Sequence, residues 1–560
     1  MSRGVWKGTK SILALILTMS VVLAGCGGAD TGSESPANSK GNDTSSTDKP
    51  KDVTLTVMAN WPGADAFISK DQENNPIAKA IKEKTGVTLK IEVTKVSTVE
   101  KLNTMFATGD LPDIYVGPAW GEELNIMKKA AEQGQILDIT TQLSKYPTLT
   151  MNVSQEFMPK DIYDAYHSFG DKQYFMYNRY PAKPEDIKDW LHGLFVRKDI
   201  ADKVVVDPKS VHTPEQLYDF LKKIKDANIQ EKGKTIIPLG SNANGWALYL
   251  TNKMFYNFTT FKIENGIAQH SFMTPEVEKQ ILYQRKLIAE GLIDPEAYTQ
   301  TTAIADEKAL QGRYAVIAAH LYNLINRKVI STVEKDNPNA VYVPLGPLNN
   351  ADGDPYRHTV KAEGDNLVAL MKGNKDPEAS MRVLNFLASD EGWMLANYGV
   401  EGVHYEMADG KPVAKKEWID KEKDASGTLL QEGFGNQSIY TFMAGQNRTF
   451  SLAGGPYGHQ FDETYKRITE AQKIMRKNGV ELLQGRNPVL TEFTGFDKLK
   501  PLLEQVDAVT KQAYYAKTED EAMGLINNLR GELEKAGIHE LEKWAAEEDK
   551  KSPFTKYKTE

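Results

Sequence analysis

The sequence holds a single cysteine, Cys26, among 560 residues. One thiol cannot close an intramolecular disulfide, and without a Cys-x-x-Cys pair neither the matching zinc site nor a dithiol redox centre can form. Nine histidines occur and none belongs to an HExxH arrangement, which removes that zinc-hydrolase motif. No GxSxG is present. Gly233-Lys234-Thr235 resembles the end of a phosphate-binding loop, but Asn228 stands where its first glycine should be. Basic charge is also in short supply. Sixty-eight Lys and Arg face 76 Asp and Glu, a formal net charge of −8, so no basic excess exists to neutralise a nucleic-acid backbone. What remains is an ordinary globular composition, 40% hydrophobic, with material for two to four domains or one large two-lobed body.

The N-terminus reads as an address. Arg3, Lys7 and Lys10 precede SILALILTMSVVLAG, an uncharged run over residues 11–25. A basic start with a short apolar stretch is the pattern of a secretory signal peptide, and the run is below the roughly 20 residues of a spanning helix. It ends in Leu23-Ala24-Gly25-Cys26, which resembles the bacterial lipobox. A thiolate is the natural nucleophile for a diacylglyceryl group, and two or more acyl chains anchor stably where one does not. The expectation is a signal peptide over 1–25, lipidation of Cys26, and a flexible tether over 26–50, where Gly, Ser, Thr and Asp dominate. Removal of the leader takes the net charge from −8 to −11.

Globular patterning starts near Lys51. Val53, Leu55 and Val57 alternate with polar residues at strand period, as do Val87, Leu89, Ile91 and Val93. Between them, Pro76, Ile77, Ala80 and Ile81 start a helix that Gly86 stops. Strand, helix and strand in about 40 residues make a βαβ unit with parallel strands. Leu102, Met105 and Phe106 predict a further helix, and Asp113–Val116 a short strand. Thr213-Pro214-Glu215-Gln216 is an N-cap, a first-turn proline and a capping-box glutamine; Thr274-Pro275 and Asp376-Pro377 start two more helices. Ile236–Leu239 and Ala315–Ala319 read as short buried strands, and about 497–549 as charged helices. No solenoid-length repeat is visible.

Several stretches together resemble a known family. They are PIAKAIKEKTGV (76–87), ATGDLPDI (107–114), VRKD (196–199), EGLIDP (290–295), Gly312–Ala318 and EGVHY (401–405). In order, and with the lipobox, they resemble the family 1 extracellular solute-binding proteins of bacterial ABC importers, in the LplA-like lipoprotein branch of Gram-positive bacteria. The resemblance spans about residues 52–410. It implies an α/β, two-lobed periplasmic-binding-protein-like fold of type II, with ligand in the cleft. By the family pattern one lobe would hold 51–165 plus 346–402 and the other 166–345 plus 403–560. It further implies no enzymatic activity and no cofactor, permease subunits and an oligosaccharide as partners, and a monomer on the extracellular face of the cell membrane.

Sugars present apolar ring faces and a rim of hydroxyls, so aromatic side chains just past strand ends become candidates. These are Trp61, Trp120, Trp246, and Tyr322 with His320 beside it. His404 and Tyr405 come from the family-like segment, and Tyr457 from a Gly-Gly-Pro-Tyr turn that turn chemistry explains equally well. Arg179 and Glu363 are candidate polar contacts. Packing is the competing reading for every one of these residues. Many relatives carry a calcium loop after the helix at 214; here Asp226, Asn228 and Gln230 keep the early oxygen pattern, but the closing acid is missing and two lysines intrude, so no metal is expected. The opposing functional class is a surface hydrolase or lyase acting on glycans, which needs a placed acid and base; none is recognisable. A peptide is the alternative ligand.

Overall fold

The computed structural model describes residues 51–61, 68–119, 121–149, 168–169, 172–178, 192–241, 245, 248–256, 258, 260–321, 324, 327–353, 358–361, 366–424, 428–435, 438–443, 480–484, 490–551 and 556–559, with single positions between 467 and 477. Two sheets organise them. Their strands, in chain order, are β1 (Val53–Ala59), β2 (Val87–Val93), β3 (Ile114–Pro118), β4 (Phe175–Asn178), β5 (His192–Arg197), β6 (Ile237–Ser241), β7 (Tyr314–His320), β8 (Tyr342–Pro344) and β9 (Asn366–Leu370).

The first sheet has the order β2-β1-β3-β9-β4. β1 runs parallel to β2 and β3, and β9 runs antiparallel to β3 and β4. Alternation along β1 is read out directly. Leu55, Val57 and Ala59 join a core with Ile77, Ile81, Met381 and Leu384 on one face, and Met58 joins Tyr115, Leu102, Met105 and Met127 on the other. The helix Pro76–Thr85 that covers the first face is capped at its start by the Asn75 side chain and ended by Gly86 at φ 69°, a conformation that only glycine adopts without cost.

The second sheet has the order β6-β7-β5-β8. β6 and β7 are parallel, while β5 is antiparallel to both β7 and β8. Its strands are buried on both faces, which accounts for the continuous apolar run Ala315–Ala319. The helix Pro214–Asp226, with the expected capping box complete, packs Leu217, Phe220, Leu221 and Ile224 against one face. Val329, Val333 and Tyr342 belong to the core on the other. The helices Phe496–Leu503, Val506–Tyr514, Glu519–Ala536 and Ile538–Lys551 form a further core with Val277 and Ile281 of the helix Pro275–Ala289.

Packing departs from the expected lobe boundaries in two places. β4 falls on the second-lobe side of a boundary at 165, yet it pairs with β9 in the first sheet. Trp418, Phe434, Tyr440 and Met443 fall on the second-lobe side of a boundary at 402, yet they pack in the first core. β4 extends the first sheet by pairing at its side, and the four later side chains add to the core on its Leu55 face.

The signature motifs turn out to hold the frame. Asp113 accepts from Thr56 N at 2.7 Å and Thr56 Oγ1 at 2.8 Å, and from Lys375 N at 2.8 Å, tying β1, β3 and the turn after β9. Burial pushes its carboxyl up, but these bonds outweigh it and hold the group below the usual range. Arg197, 1% exposed, donates to both oxygens of Asp199, to Gly312 O and to Glu231. Asp294 accepts from Lys308 and from the Tyr314 hydroxyl at 2.7 Å. In the degenerate loop after Asp226, Glu231 is committed to Arg197 and Lys232 to Asp336. Among the described residues no cluster of three His, Cys, Asp or Glu could hold a metal.

Val205 is 87% exposed at φ 55°, a left-handed conformation that a β-branched side chain resists. Val205→Asn, which tolerates that region, is expected to raise stability by about 1 kcal/mol. Urea denaturation of the two forms measures this, and an unchanged midpoint would count against the strain.

Candidate functional site

Strand ends define two edges. In the first sheet β1 runs out at Asn60-Trp61, β3 ends at Pro118, β4 ends at Asn178, and β9 begins at Asn366, which pairs with both Pro118 and Asn178. All four ends therefore share one edge. In the second sheet β6 ends at Ser241 and β7 at His320, and β5 begins at His192, the register partner of His320. The chain leaves the first sheet at Asn178 and enters the second at His192, and it returns from β8 to Asn366. These two sheet-to-sheet crossings thus join the same two edges, while a third passage leaves the first core from the helix Ile439–Met443 for the C-terminal helices. In open α/β sheets the carboxyl ends of strands are where ligands bind.

At the first edge Trp61 is partly buried against the core, its ring 5.3 Å from that of Phe442. Asn60 beside it is 0% exposed. Its amide nitrogen donates to Thr98 O at 3.1 Å and to the Tyr115 hydroxyl at 3.0 Å. That hydroxyl lies across Gly117, where a Cβ would come within 2.2 Å of it, so the hydroxyl position depends on glycine. Burial pushes the Tyr115 phenol far up, so it stays neutral.

At the second edge the His320 and His192 rings meet edge-on, 4.9 Å apart at 78°. The Tyr249 hydroxyl pairs with His192 Nδ1, and the two rings are 5.5 Å apart. Tyr249 lies on the short helix Tyr249–Lys253, close in sequence after β6. Sequence reasoning misses His192 and Tyr249. The available signal is a histidine opening an apolar strand, His192-Gly193-Leu194-Phe195-Val196.

Among the predicted site residues, Trp61 stands at the first edge and His320 at the second. His404 and Tyr405 do not belong with them. His404 is 0% exposed, its ring 4.7 Å from Trp418 and 4.5 Å from Phe434, and its Nδ1 accepts from Val400 N at 2.8 Å. Tyr405 is buried with its ring 5.6 Å from Tyr398. Both are packing residues, because the turn at Gly399 to Gly402 folds them inward. Cys26, Trp120, Arg179, Trp246, Tyr322, Glu363 and Tyr457 lie outside the described residues. In sequence, Trp120, Arg179 and Glu363 adjoin β3, β4 and β9, and Trp246 and Tyr322 adjoin β6 and β7.

The sequence matches the profile of the family described as bacterial extracellular solute-binding protein over residues 68–392, more than half of the chain. The chain belongs to this family. As a solute-binding protein it is a binder and not an enzyme, and its two edges are the surfaces that such a fold offers a ligand. It is 24% identical over 508 residues to the polygalacturonan/rhamnogalacturonan-binding protein YtcQ of Bacillus subtilis, covering 88% of this chain and 90% of the relative. It is 22% identical over 414 residues to the lipoprotein LipO of the same species, covering 72% and 74%. The solved structure of the alginate-binding protein AlgQ2 without calcium ion superposes with a TM-score of 0.64 at 21% identity, covering 90% of this chain and 99% of that one. That likeness fixes the two-lobed periplasmic-binding-protein-like fold. No helix among the described residues is long and apolar enough to cross a membrane.

Burial lowers the His404 imidazole from 6.5 to about 4, and does the same to His270 in the C-terminal helical core. A base held neutral in the folded state is protonated first in the unfolded chain. Stability from these two groups is therefore complete above about pH 6.5 and lost as pH falls towards 4. Denaturation at pH 7 and pH 5 should show a lower midpoint at pH 5, and His404→Phe, though less stable overall, should show a smaller drop. An equal drop in both forms would contradict the burial of a neutral ring.

Proposed function

We propose that this solute-binding protein is a lipid-anchored extracellular receptor of an ABC importer. It captures an oligosaccharide by closure of two lobes and passes it intact to membrane permeases. One lobe comprises the first sheet with residues 51–178 and 366–443. The other comprises the second sheet with residues 192–345 and the helices at 496–551. The observation that carries this reading is the pair of strand-end edges joined by the two sheet-to-sheet crossings, one bearing Trp61 and buried amides, the other paired histidines and Tyr249. Aromatic rings and hydrogen-bonding side chains suit sugar faces and hydroxyls. The names of the polygalacturonan/rhamnogalacturonan-binding and alginate-binding relatives support a carbohydrate. Trp120, Arg179 and Glu363 complete the first side of the site, and Trp246 and Tyr322 the second; Tyr457 is a further candidate contact.

The anchor is the diacylglyceryl group on Cys26, with residues 26–50 as tether. The lipoprotein relative supports it.

A ligand that binds only the folded state stabilises it. Incubation with a panel of neutral and uronic oligosaccharides should give a concentration-dependent rise in melting temperature with the glycan recovered unchanged. A panel without a single stabilising member rejects the carbohydrate reading. Trp61→Ala and Tyr322→Ala should each weaken the best ligand by about tenfold or more, roughly 1.4 kcal/mol, as read by calorimetry; full affinity removes the residue from the site. Cys26→Ala should move the protein from the membrane fraction to the medium or to an unlipidated precursor, and membrane lipid labelling of that variant would exclude Cys26 as the attachment point.

A further inference from the structure

Two buried polar atoms at the first edge have no hydrogen-bond partner among the described residues: Asn60 Oδ1 and Asn366 Nδ2. Asn60 is 0% exposed and Asn366 2%. The orientation of the Asn60 amide is not arbitrary. The Thr98 carbonyl can only accept, so the amide nitrogen must face it, and the Tyr115 hydroxyl takes the other N–H. The oxygen is left over by construction. Asn366 opens β9, and its backbone is set between Pro118 of β3 and Asn178 of β4. By strand alternation Asn60 lies on the sheet face of Met58, and Asn366 on that of Val368. The two amides therefore stand on opposite faces of the same ligand-facing edge.

Buried side-chain polar atoms are nearly always paired, and each exception calls for an explanation. Nothing in the frame needs these two amides unpaired. Asn60 is already anchored through its nitrogen, and an apolar residue could open β9 as well as Asn366 does. We propose that both are specificity-determining ligand contacts: Asn60 Oδ1 accepts a hydrogen bond from a ligand hydroxyl, and Asn366 Nδ2 donates one to a ligand oxygen. This rests on the oligosaccharide reading of the same edge. The chemistry at Asn60 is selective. An acceptor-only atom, with both amide protons spent elsewhere, requires a group that carries a proton. An ionised carboxylate has none, so the ligand group that meets Asn60 Oδ1 is a hydroxyl and not a carboxylate. A site built to hydrogen-bond a hydroxyl discriminates strongly against an analogue that lacks it.

The test uses calorimetry on the full chain with the best glycan of the panel and with deoxy congeners of it. Asn60→Ala and Asn366→Ala should each weaken the parent glycan by about tenfold or more. One deoxy congener should lose a similar factor against the natural sequence, and Asn60→Ala should no longer distinguish it from the parent. A purely structural role predicts the reverse: a lowered melting temperature of the unliganded variants with undiminished affinity. Undiminished affinity in both variants overturns the proposal while leaving the oligosaccharide reading intact. If Asn60→Ala does not fold, the deoxy series on the natural sequence decides its half, and equal affinity for every congener overturns it. Failure of the natural sequence to bind any glycan overturns both readings together.

Discussion

Burial of both faces of each sheet is the constraint from which the site follows. Helices cover the first sheet on the side of Leu55 and Val57 and on the side of Met58 and Tyr115, and the second sheet is covered in the same way. Nothing can approach such a sheet through its faces. Chemistry is left with the strand ends, where loops depart and backbone groups are not all spent on the ladder. The chain then crosses between sheets from those ends and not from the opposite ones. The proposed binding surface is therefore a by-product of how the cores are closed.

The charged residues of the signature motifs sit elsewhere in this plan. Asp113, Arg197 and Asp294 are buried ions with several partners each, and such groups are costly to leave unpaired. Asp113 precedes β3, and Arg197 ends β5 at the opposite end from His192. They brace the frame, and they explain why a ligand cannot be inferred from them.

Much of the architecture is legible in the sequence itself. Period-two alternation at 53–57 and 87–93, and the caps at Thr213, Thr274 and Asp376, correspond to real strands and helices because local pattern and tertiary burial agree there. The extended strand limits, such as His320 beyond Ala319, follow from pairing that local pattern does not carry. Lobe membership is less legible. Nothing local in Phe175–Asn178 says which sheet it completes, and the wrapping of 416–443 onto the first core depends on which surface is left uncovered. Position after a strand places Trp61 and His320 at the two strand-end edges, as their strands' limits require. Motif membership misleads for His404 and Tyr405, since a motif can be kept for packing. Asn60 gives no signal of its own, because an asparagine after an apolar strand resembles any turn residue until its amide partners are known.

Strand β5 joins the two kinds of residue in six positions, from His192 at the edge to the clamped guanidinium of Arg197. On the proposed reading of the site, ligand preference and foldability are carried on separate ends of one rigid rod. Substitutions at the His192 end can re-tune what is held without loosening the ions that define the scaffold.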